Sequence, residues 1–291
     1  MIQTTIDKEG LRLPVGVESA PGGARDRSFA FRAWSAKEEI AIGDLRDRNR
    51  AAGPAEQVTH VLSTILRKWG PHDFEKMSEP EKILALKRSF AADVYFAWVQ
   101  LRRDVIGNGL DMALACPCRE EFVFEVDLGT LDVDAVADGE DLNRPFQLRD
   151  GFEFRGAVRK VLTLSPLRWG TYEEIGVSTG LNPGKIKVLI ALGAIVGVDG
   201  LAGEIKLPEN ALDALSKFDL ENLSDEIEVG QPGPFLSFEV ACPKCKSKTT
   251  RAISWVYDRF FSKASSRSGR RRKSFERSSS SATGSPDSPT T

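Results

Sequence analysis

The chain has 291 residues, 41% of them hydrophobic, and a formal net charge of −2. This length and composition are sufficient to build a substantial hydrophobic core. Residues 262–291 hold seven Lys or Arg and two acidic residues, which leaves a charge of −7 on residues 1–261. Because an acidic body repels phosphates, the charge distribution argues against a broad nucleic-acid-binding surface.

The sequence predicts neither an export signal nor a membrane span. The first residues lack the charged start and apolar run of a secretory signal. The longest apolar run, 188–198, is too short to cross a bilayer and is predicted to be a buried helix. We therefore expect a cytoplasmic protein. A reducing compartment favours metal binding over disulfide formation by closely spaced cysteines.

The first part of the chain is predicted to be helical. Residues 1–27 lack periodicity and form an extended lead-in, while residues 28–110 form a helical domain that opens with a short alternating strand at 27–34. Ser35 and Glu38 have the spacing of a capping box. Apolar residues at spacings of three and four predict helices from Ser35 to about Asn49, from Pro54 to Trp69 and from Ser78 to about Gly107.

The periodicity changes from helix to strand after Gly109. Residues 111–130 and 235–261 each have the pattern strand, cysteine turn, strand. We predict that these two segments form one split module resembling a zinc ribbon, with the chain between them as an insertion.

Residues 131–234 are predicted to be a mixed α/β insertion. Asp150 and Gly151 form a dipeptide typical of hairpin turns. Helices are predicted for 168–195, with a break at 178–184, and for 208–218 and 219–227. Residues 262–291 contain eleven serines and few apolar side chains, so we predict a disordered basic tail. The predicted fold class is α+β: a helical layer, the split pair of β-hairpins, the insertion and the tail.

The four cysteines fall in two Cys-Pro turns. Cys116 and Cys118 lie in the sequence CPC, and Cys242 and Cys245 lie in CPKC. Four thiolates placed tetrahedrally about 2.3 Å from Zn²⁺ are the ligands of a zinc ribbon. We predict that these four residues bind one such ion. Because four protein ligands leave no coordination position for substrate or water, the predicted site is structural.

Two features of the turns depart from the regular zinc-ribbon pattern. CPC has one residue between its cysteines instead of two, so the usual turn, whose N–H groups donate to both sulfurs, is not expected there. Lys246 stands where glycine often follows, and a left-handed conformation would cost about 1 kcal/mol. The charge of about −2 on a four-thiolate centre would be partly offset by Arg119, Lys244, Lys246 and Lys248. Unligated buried thiols and disulfides remain alternatives.

The other polar residues form no recognised catalytic pattern. His60 and His72 are predicted to have no chemical role, and GLNPGK lacks the glycine spacing of a phosphate-binding loop. The carboxylates of 132–141 lack EF-hand spacing and are predicted to form a solvated loop. The segment 171–193 has the outline of a helix-turn-helix, but its second helix is mainly aliphatic, which favours a core or interface over DNA. We predict that the chain is not an enzyme and has no small-molecule substrate.

The order of several motifs resembles the T4-type phage baseplate protein family. LPVG at 13–16 is followed by an extended segment and by SAKEE. Helices then end in FAADVYFAWVQLRRDVIGNGL, a Cys pair precedes a strand ending in VDL, and a second Cys pair leads into WVYDRFF. The resemblance covers 11–261, and the tail from 262 onward has no counterpart in it.

This resemblance implies a non-enzymatic structural or assembly protein, chaperone-like in its action, of the baseplate hub in contractile tails and related injection systems. Its partners would be hub proteins or the tape-measure protein, and it would be made in the cytoplasm of the producing cell, whether or not it enters the tail particle. The helical layer at 35–107 and the apolar segment 186–198 are the expected contact surfaces. The competing hypothesis is a zinc-ribbon regulator that binds nucleic acid through its basic tail.

Overall fold

A computed structural model describes residues 11–20, 23–48, 52–177, 182–201, 205, 207–253 and 260–261. Within these residues the chain forms seven α-helices and several small antiparallel sheets. The α+β class predicted from the sequence is therefore confirmed. The tail predicted at 262–291 lies outside the described residues.

The helices occur in two groups, one on each side of the first cysteine turn. They are α1 (Ala36–Arg48), α2 (Pro54–Ile65), α3 (Glu79–Arg88), α4 (Ala91–Val105), α5 (Trp169–Val177), α6 (Pro183–Ala194) and α7 (Lys217–Val229). Short 3-10 helices span Leu128–Thr130 and Glu209–Leu212. No helix within the described ranges combines the length and the apolar character needed to cross a membrane.

The strands within the described ranges pair in six small antiparallel sheets. They are β1 (Val17–Glu18), β2 (Arg25–Asp26), β3 (Phe29–Phe31), β4 (Leu66–Trp69), β5 (His72–Asp73), β6 (Gly109–Ala115), β7 (Glu121–Asp127), β8 (Val133–Asp134), β9 (Arg144–Phe154), β10 (Ala157–Leu164), β11 (Ile195–Val198), β12 (Gly233–Pro234), β13 (Ser237–Ala241) and β14 (Lys248–Ala252). The sheet orders are β1-β2, β3-β4-β5, β6-β7, β8-β12, β11-β10-β9 and β13-β14. One hydrophobic cluster, from Leu13 to Phe260, contains residues of the lead-in, the helices and the sheets.

A buried carboxylate holds the lead-in against α4. Asp93 accepts hydrogen bonds from the N–H groups of Val15 (2.8 Å) and Gly16 (3.0 Å). Burial raises the pKa of Asp93 to about 7, although these hydrogen bonds act in the opposite direction. Gly16 has a φ of 98°, and a Cβ at this position would lie 2.8 Å from the Arg27 side chain. The positive φ and the nearby Arg27 side chain therefore favour glycine at this position.

The second predicted helix ends earlier than its apolar stripe. α2 stops at Ile65, and Leu66–Trp69 form β4, which pairs with Phe29–Phe31. Leu66 and Trp69 are fully buried, so their apolar character is satisfied in a strand as well as in a helix. The prediction of a helix through Trp69 is wrong because pairing with the remote strand β3 decides the conformation.

The third predicted helix is two helices, α3 and α4. Ser89 and Phe90 between them are extended, and Phe90 forms a β-bridge with Arg168. The Ser89 hydroxyl accepts a hydrogen bond of 2.8 Å from Trp69 Nε1. These remote contacts stabilise the break between the two helices. They cannot be predicted from the apolar stripe, which continues through the break. The prediction of one helix from 78 to 107 is therefore wrong.

The dipeptide Asp150-Gly151 does not form the predicted turn. β9 continues through it, and the chain reverses at 155–156. The buried carboxylate of Asp219 accepts hydrogen bonds from the N–H groups of Arg149 (2.8 Å), Asp150 (2.9 Å) and Gly151 (3.1 Å). The hairpin predicted for this segment is confirmed as β9–β10, but its turn is not at Asp-Gly, because the backbone there binds the side chain of Asp219 from α7.

The remaining predictions for the insertion are confirmed in part. α5 and α6 occupy the predicted helical segment 168–195, and the residues 178–181 between them lie outside the described part of the chain. The apolar run 188–198 is divided between the end of α6 and β11. A 3-10 helix replaces the helix predicted at 208–218, and α7 extends the one predicted at 219–227.

Candidate metal centre

Two β-hairpins that are distant in sequence carry the four cysteines. The first hairpin, β6–β7, is paired in register from Gly109 opposite Asp127 to Ala115 opposite Glu121. The second hairpin, β13–β14, is paired over the five positions of each strand. Each cysteine pair lies in the turn that closes its hairpin. The predicted order of strand, cysteine turn and strand is thus confirmed for both hairpins, as far as the second segment is described.

The four sulfur atoms form one cluster. Cys116 Sγ lies 3.6 Å from Cys245 Sγ, and Cys118 Sγ lies 3.7 Å from Cys242 Sγ. All four lie within 4.8 Å of one another. Sulfurs bound to a tetrahedral Zn²⁺ at about 2.3 Å would be about 3.8 Å apart, whereas disulfide sulfurs are about 2.05 Å apart. The four cysteines are free thiols in an arrangement compatible with a metal site.

The turn of the second hairpin has a left-handed residue after its second cysteine. Cys242 N–H donates to Ser247 O (2.9 Å), and Lys246 N–H donates to Cys242 O (3.0 Å). Lys246 has a φ of 61°, which is the left-handed conformation expected to cost about 1 kcal/mol. The N–H groups of Cys245 and, more weakly, Lys244 donate to the Cys242 sulfur. They lower the pKa of Cys242 to about 7, against the effect of burial.

The turn of the first hairpin is one residue shorter and still brings both of its cysteines into the cluster. Cys116 N–H donates to Glu120 O (2.9 Å), and Arg119 N–H donates to Cys116 O (2.8 Å). Arg119 has a φ of 67° and so matches Lys246. The Cys118 N–H donates to the Cys116 sulfur, but burial and hydrogen bonds with the neighbouring thiols outweigh it and raise the pKa of Cys116 to about 12.

Two of the basic residues expected to offset the charge of the centre have carboxylate partners. Lys244 Nζ lies 3.6 Å from Glu120 Oε2 and so connects the two turns. Lys248 Nζ lies 2.6 Å from Glu239 Oε1 within the second hairpin. The backbone N–H groups that lower the pKa of Cys242 therefore stabilise thiolate charge more directly than these lysines.

Buried Arg102 joins the start of the first hairpin to Phe260, eight residues after the end of β14. Its Nε donates to Phe260 O at 2.7 Å, and its terminal nitrogens donate to the carbonyl oxygens of Gly107 and Gly109. Gly109 begins the first hairpin, and Phe260 follows the second and stacks on Trp98 with ring centroids 5.7 Å apart. Arg102 is not among the functional or structural residues predicted from the sequence. The available signal is its place four residues after Trp98, on the apolar side of α4.

Other candidate residues lie apart from the cluster. His60 is on α2, with Nε2 3.7 Å from Glu56, and His72 is in β5. A cleft of about 1060 Å³ is lined by the lead-in, the loop 138–143 and strands β10 and β11, and no cysteine lines it. Among the described residues, the four cysteines are the one group of three or more His, Cys, Asp or Glu side chains placed to share a metal ion.

Fold and site together define an α+β protein in which two remote hairpins meet at a four-cysteine cluster compatible with a metal ion. Comparisons of the chain with protein-family models, curated proteins and solved structures find no match.

Proposed function

We propose that Cys116, Cys118, Cys242 and Cys245 bind one structural Zn²⁺ as thiolates and so complete a split zinc-ribbon-like module. Two of their sulfur–sulfur distances, 3.6 and 3.7 Å, are near the value of about 3.8 Å for a tetrahedral zinc centre. Thiolates also suit Cu(I) and iron–sulfur centres, so metal analysis of protein purified without chelators is the test. We expect about one zinc per chain. Iron, copper or the absence of metal would contradict the assignment.

The proposed centre supports structure and does not catalyse a reaction. Four protein ligands complete the coordination of a tetrahedral ion, so neither water nor substrate has a position on it. The centre connects segments whose cysteines are 124 and 129 residues apart in sequence. We propose on this basis a non-enzymatic protein that acts through contacts with other proteins.

The proposed setting is the baseplate hub of a phage-type contractile tail, where the chain has a structural or assembly role. The observation that supports this most directly is that motifs of the family resemblance meet on α4. Asp93 binds the N–H groups of Val15 and Gly16 in the LPVG segment. Arg102 binds the carbonyl of Phe260 at the end of WVYDRFF. Because these motifs are distant in sequence and contact the same helix, they belong to one folded unit. This supports the use of their order to identify a family.

Hub proteins or the tape-measure protein are the proposed partners. Two surfaces offer apolar contacts. Ile40 on α1 and Leu84 on α3 are exposed by 65% and 46%, and α6 has Val188, Ile190 and Leu192 partly exposed beside the core. Such helix faces can dock into a groove of a partner.

Deletion of the gene from a tail-producing cluster tests the assembly role. We expect unassembled or hubless baseplates by electron microscopy, with rescue by the wild-type gene and by the matched control Ser247→Ala. Cys245→Ser should rescue poorly. Normal, contractile and active particles from the deletion strain would refute the proposal. The regulator hypothesis would then be tested by measuring whether DNA affinity falls steeply with salt. Mass spectrometry of purified particles would show whether the chain stays in them.

A further inference from the structure

We propose that the four cysteines, when the metal is lost under oxidising conditions, form two disulfides that both join the first hairpin to the second: Cys116 with Cys245 and Cys118 with Cys242. The site would then have two interchangeable cross-links, one metallic and one covalent. This inference rests on the proposed metal centre and concerns its behaviour after metal release.

The pairing follows from two sulfur contacts that cross between the hairpins. The Sγ atoms of Cys116 and Cys245 are 3.6 Å apart, and those of Cys118 and Cys242 are 3.7 Å apart. These two contacts use each sulfur once, and each contact crosses from one hairpin to the other. A disulfide at about 2.05 Å requires each pair to approach by about 1.6 Å, a shift that side-chain rotation and small turn movements can supply.

Contacts between the two hairpins near the turns favour this outcome over pairing within a turn. Lys244 pairs with Glu120 across the turns at 3.6 Å, and Arg251 of the second hairpin donates to Ala115 O of the first at 3.5 Å. These contacts do not depend on the metal. They keep the two turns facing each other after the metal leaves, so the partner hairpin's thiols stay near.

The oxidation can be written with a peroxide as oxidant. A thiolate attacks one peroxide oxygen and forms a sulfenic acid, and the facing thiol then attacks that sulfur, forming the disulfide and releasing water. Each disulfide consumes one peroxide, and its two electrons reduce the peroxide to two waters. For the metal-bound site, four thiolates and two peroxides give two disulfides, four hydroxides and the free metal ion. Cys245 is exposed and Cys116 is partly exposed, so a small oxidant can reach one thiol of the first pair.

The consequence is retention of the connection between the hairpins. A metal-thiolate cross-link suits a reducing compartment, and a disulfide persists in an oxidising one. A chain that passes from the first to the second would exchange one cross-link for the other without separating its hairpins.

Disulfide mapping of the full chain tests the inference. The protein is treated with a chelator and then with hydrogen peroxide, the remaining thiols are alkylated, and the chain is digested with trypsin without reduction. Trypsin places Cys116 and Cys118 in the peptide 104–119, Cys242 in 218–244 and Cys245 in 245–246. The proposed pairs hold all three peptides in one assembly. An oxidised 104–119 by itself, beside 218–244 linked to 245–246, would overturn the proposal, as would disulfides between chains or irreversible oxidation without disulfides.

Double variants then distinguish the two ways of pairing across the hairpins. Cys118→Ser/Cys242→Ser keeps the proposed pair Cys116 and Cys245, whereas Cys118→Ser/Cys245→Ser keeps the mismatched pair Cys116 and Cys242. Both variants lack two ligands, so a general loss of metal affects them equally. We expect faster disulfide formation in the first, because its sulfurs lie 3.6 Å apart in hydrogen-bond geometry. Equal rates, or a faster mismatched pair, would overturn the assignment. Failure of the zinc proposal is detected separately, as metal-free protein at purification.

Discussion

Removal of the metal is expected to destabilise the protein because it removes a long-range cross-link. Cys116 and Cys245 are 129 residues apart, and the entropy of closing a loop of that length corresponds to about 5 kcal/mol. Folded proteins are stable by about 5–15 kcal/mol, so the loss is a large share of the total. At about 2–4 °C per kcal/mol, we expect chelation to lower the Tm by about 10 °C or more.

Thermal melting followed by circular dichroism, with and without a chelator, measures this effect. Cys245→Ser should lower both the Tm and the metal content, since it removes one of the four ligands. Ser247→Ala is the matched control, because it changes a side chain in the same turn and keeps the backbone carbonyl that accepts from Cys242. If chelation and Cys245→Ser both leave the Tm unchanged, the four-cysteine centre does not contribute to stability and the reasoning is wrong.

Four further predictions concern the turn, two buried carboxylates and the tail. Lys246→Gly should raise the unfolding free energy by about 0.5–1 kcal/mol, because φ is 61°; a lower Tm would contradict this. Asp219→Ala should lower the free energy of unfolding, measured in urea, by about 3 kcal/mol, because three backbone N–H groups lose their acceptor. The control Asp225→Ala, on the exposed side of α7, should change it by less than about 0.5 kcal/mol. Burial raises the pKa of Asp93 from 3.8 to about 7, so its stabilising contribution is complete below the unfolded value and is lost as the pH rises through 7. Asp93→Asn should flatten this dependence in unfolding measured at about pH 5 and pH 8; an unchanged slope would argue against it. Limited trypsin digestion should cut first within 267–273, and early cuts in α2 or α4 would be the contrary result.

The two cysteine hairpins could be predicted because their signals are local. Alternation of apolar and polar residues at Phe122, Phe124 and Val126 sets the strand and the face of the first hairpin. A Cys-Pro turn directly between two alternating segments then places its sulfurs at the tip. The meeting of the two tips was inferred from the ligand number that a zinc centre requires, and the sulfur distances agree with it.

The incorrect predictions share a different physical cause. Residues 66–69 pair with a strand far away in sequence, Ser89 is held by Trp69, and the backbone at 149–151 surrounds Asp219. In each case a remote partner outweighs the local preference. The role of Arg102 was not predictable in detail for the same reason, since its acceptors are backbone carbonyls that carry no side-chain signal.

The last described residues determine which contacts resist a force applied to the tail. Phe260 stacks on Trp98 and accepts a hydrogen bond from Arg102, and the Phe261 ring lies 5.6 Å from that of Trp34. A force applied to the chain beyond Phe261 therefore acts on these contacts before it reaches the sulfur cluster. The aromatic contacts of Phe260 and Phe261 would bear a pull by a partner on the tail, and the two hairpin tips would not.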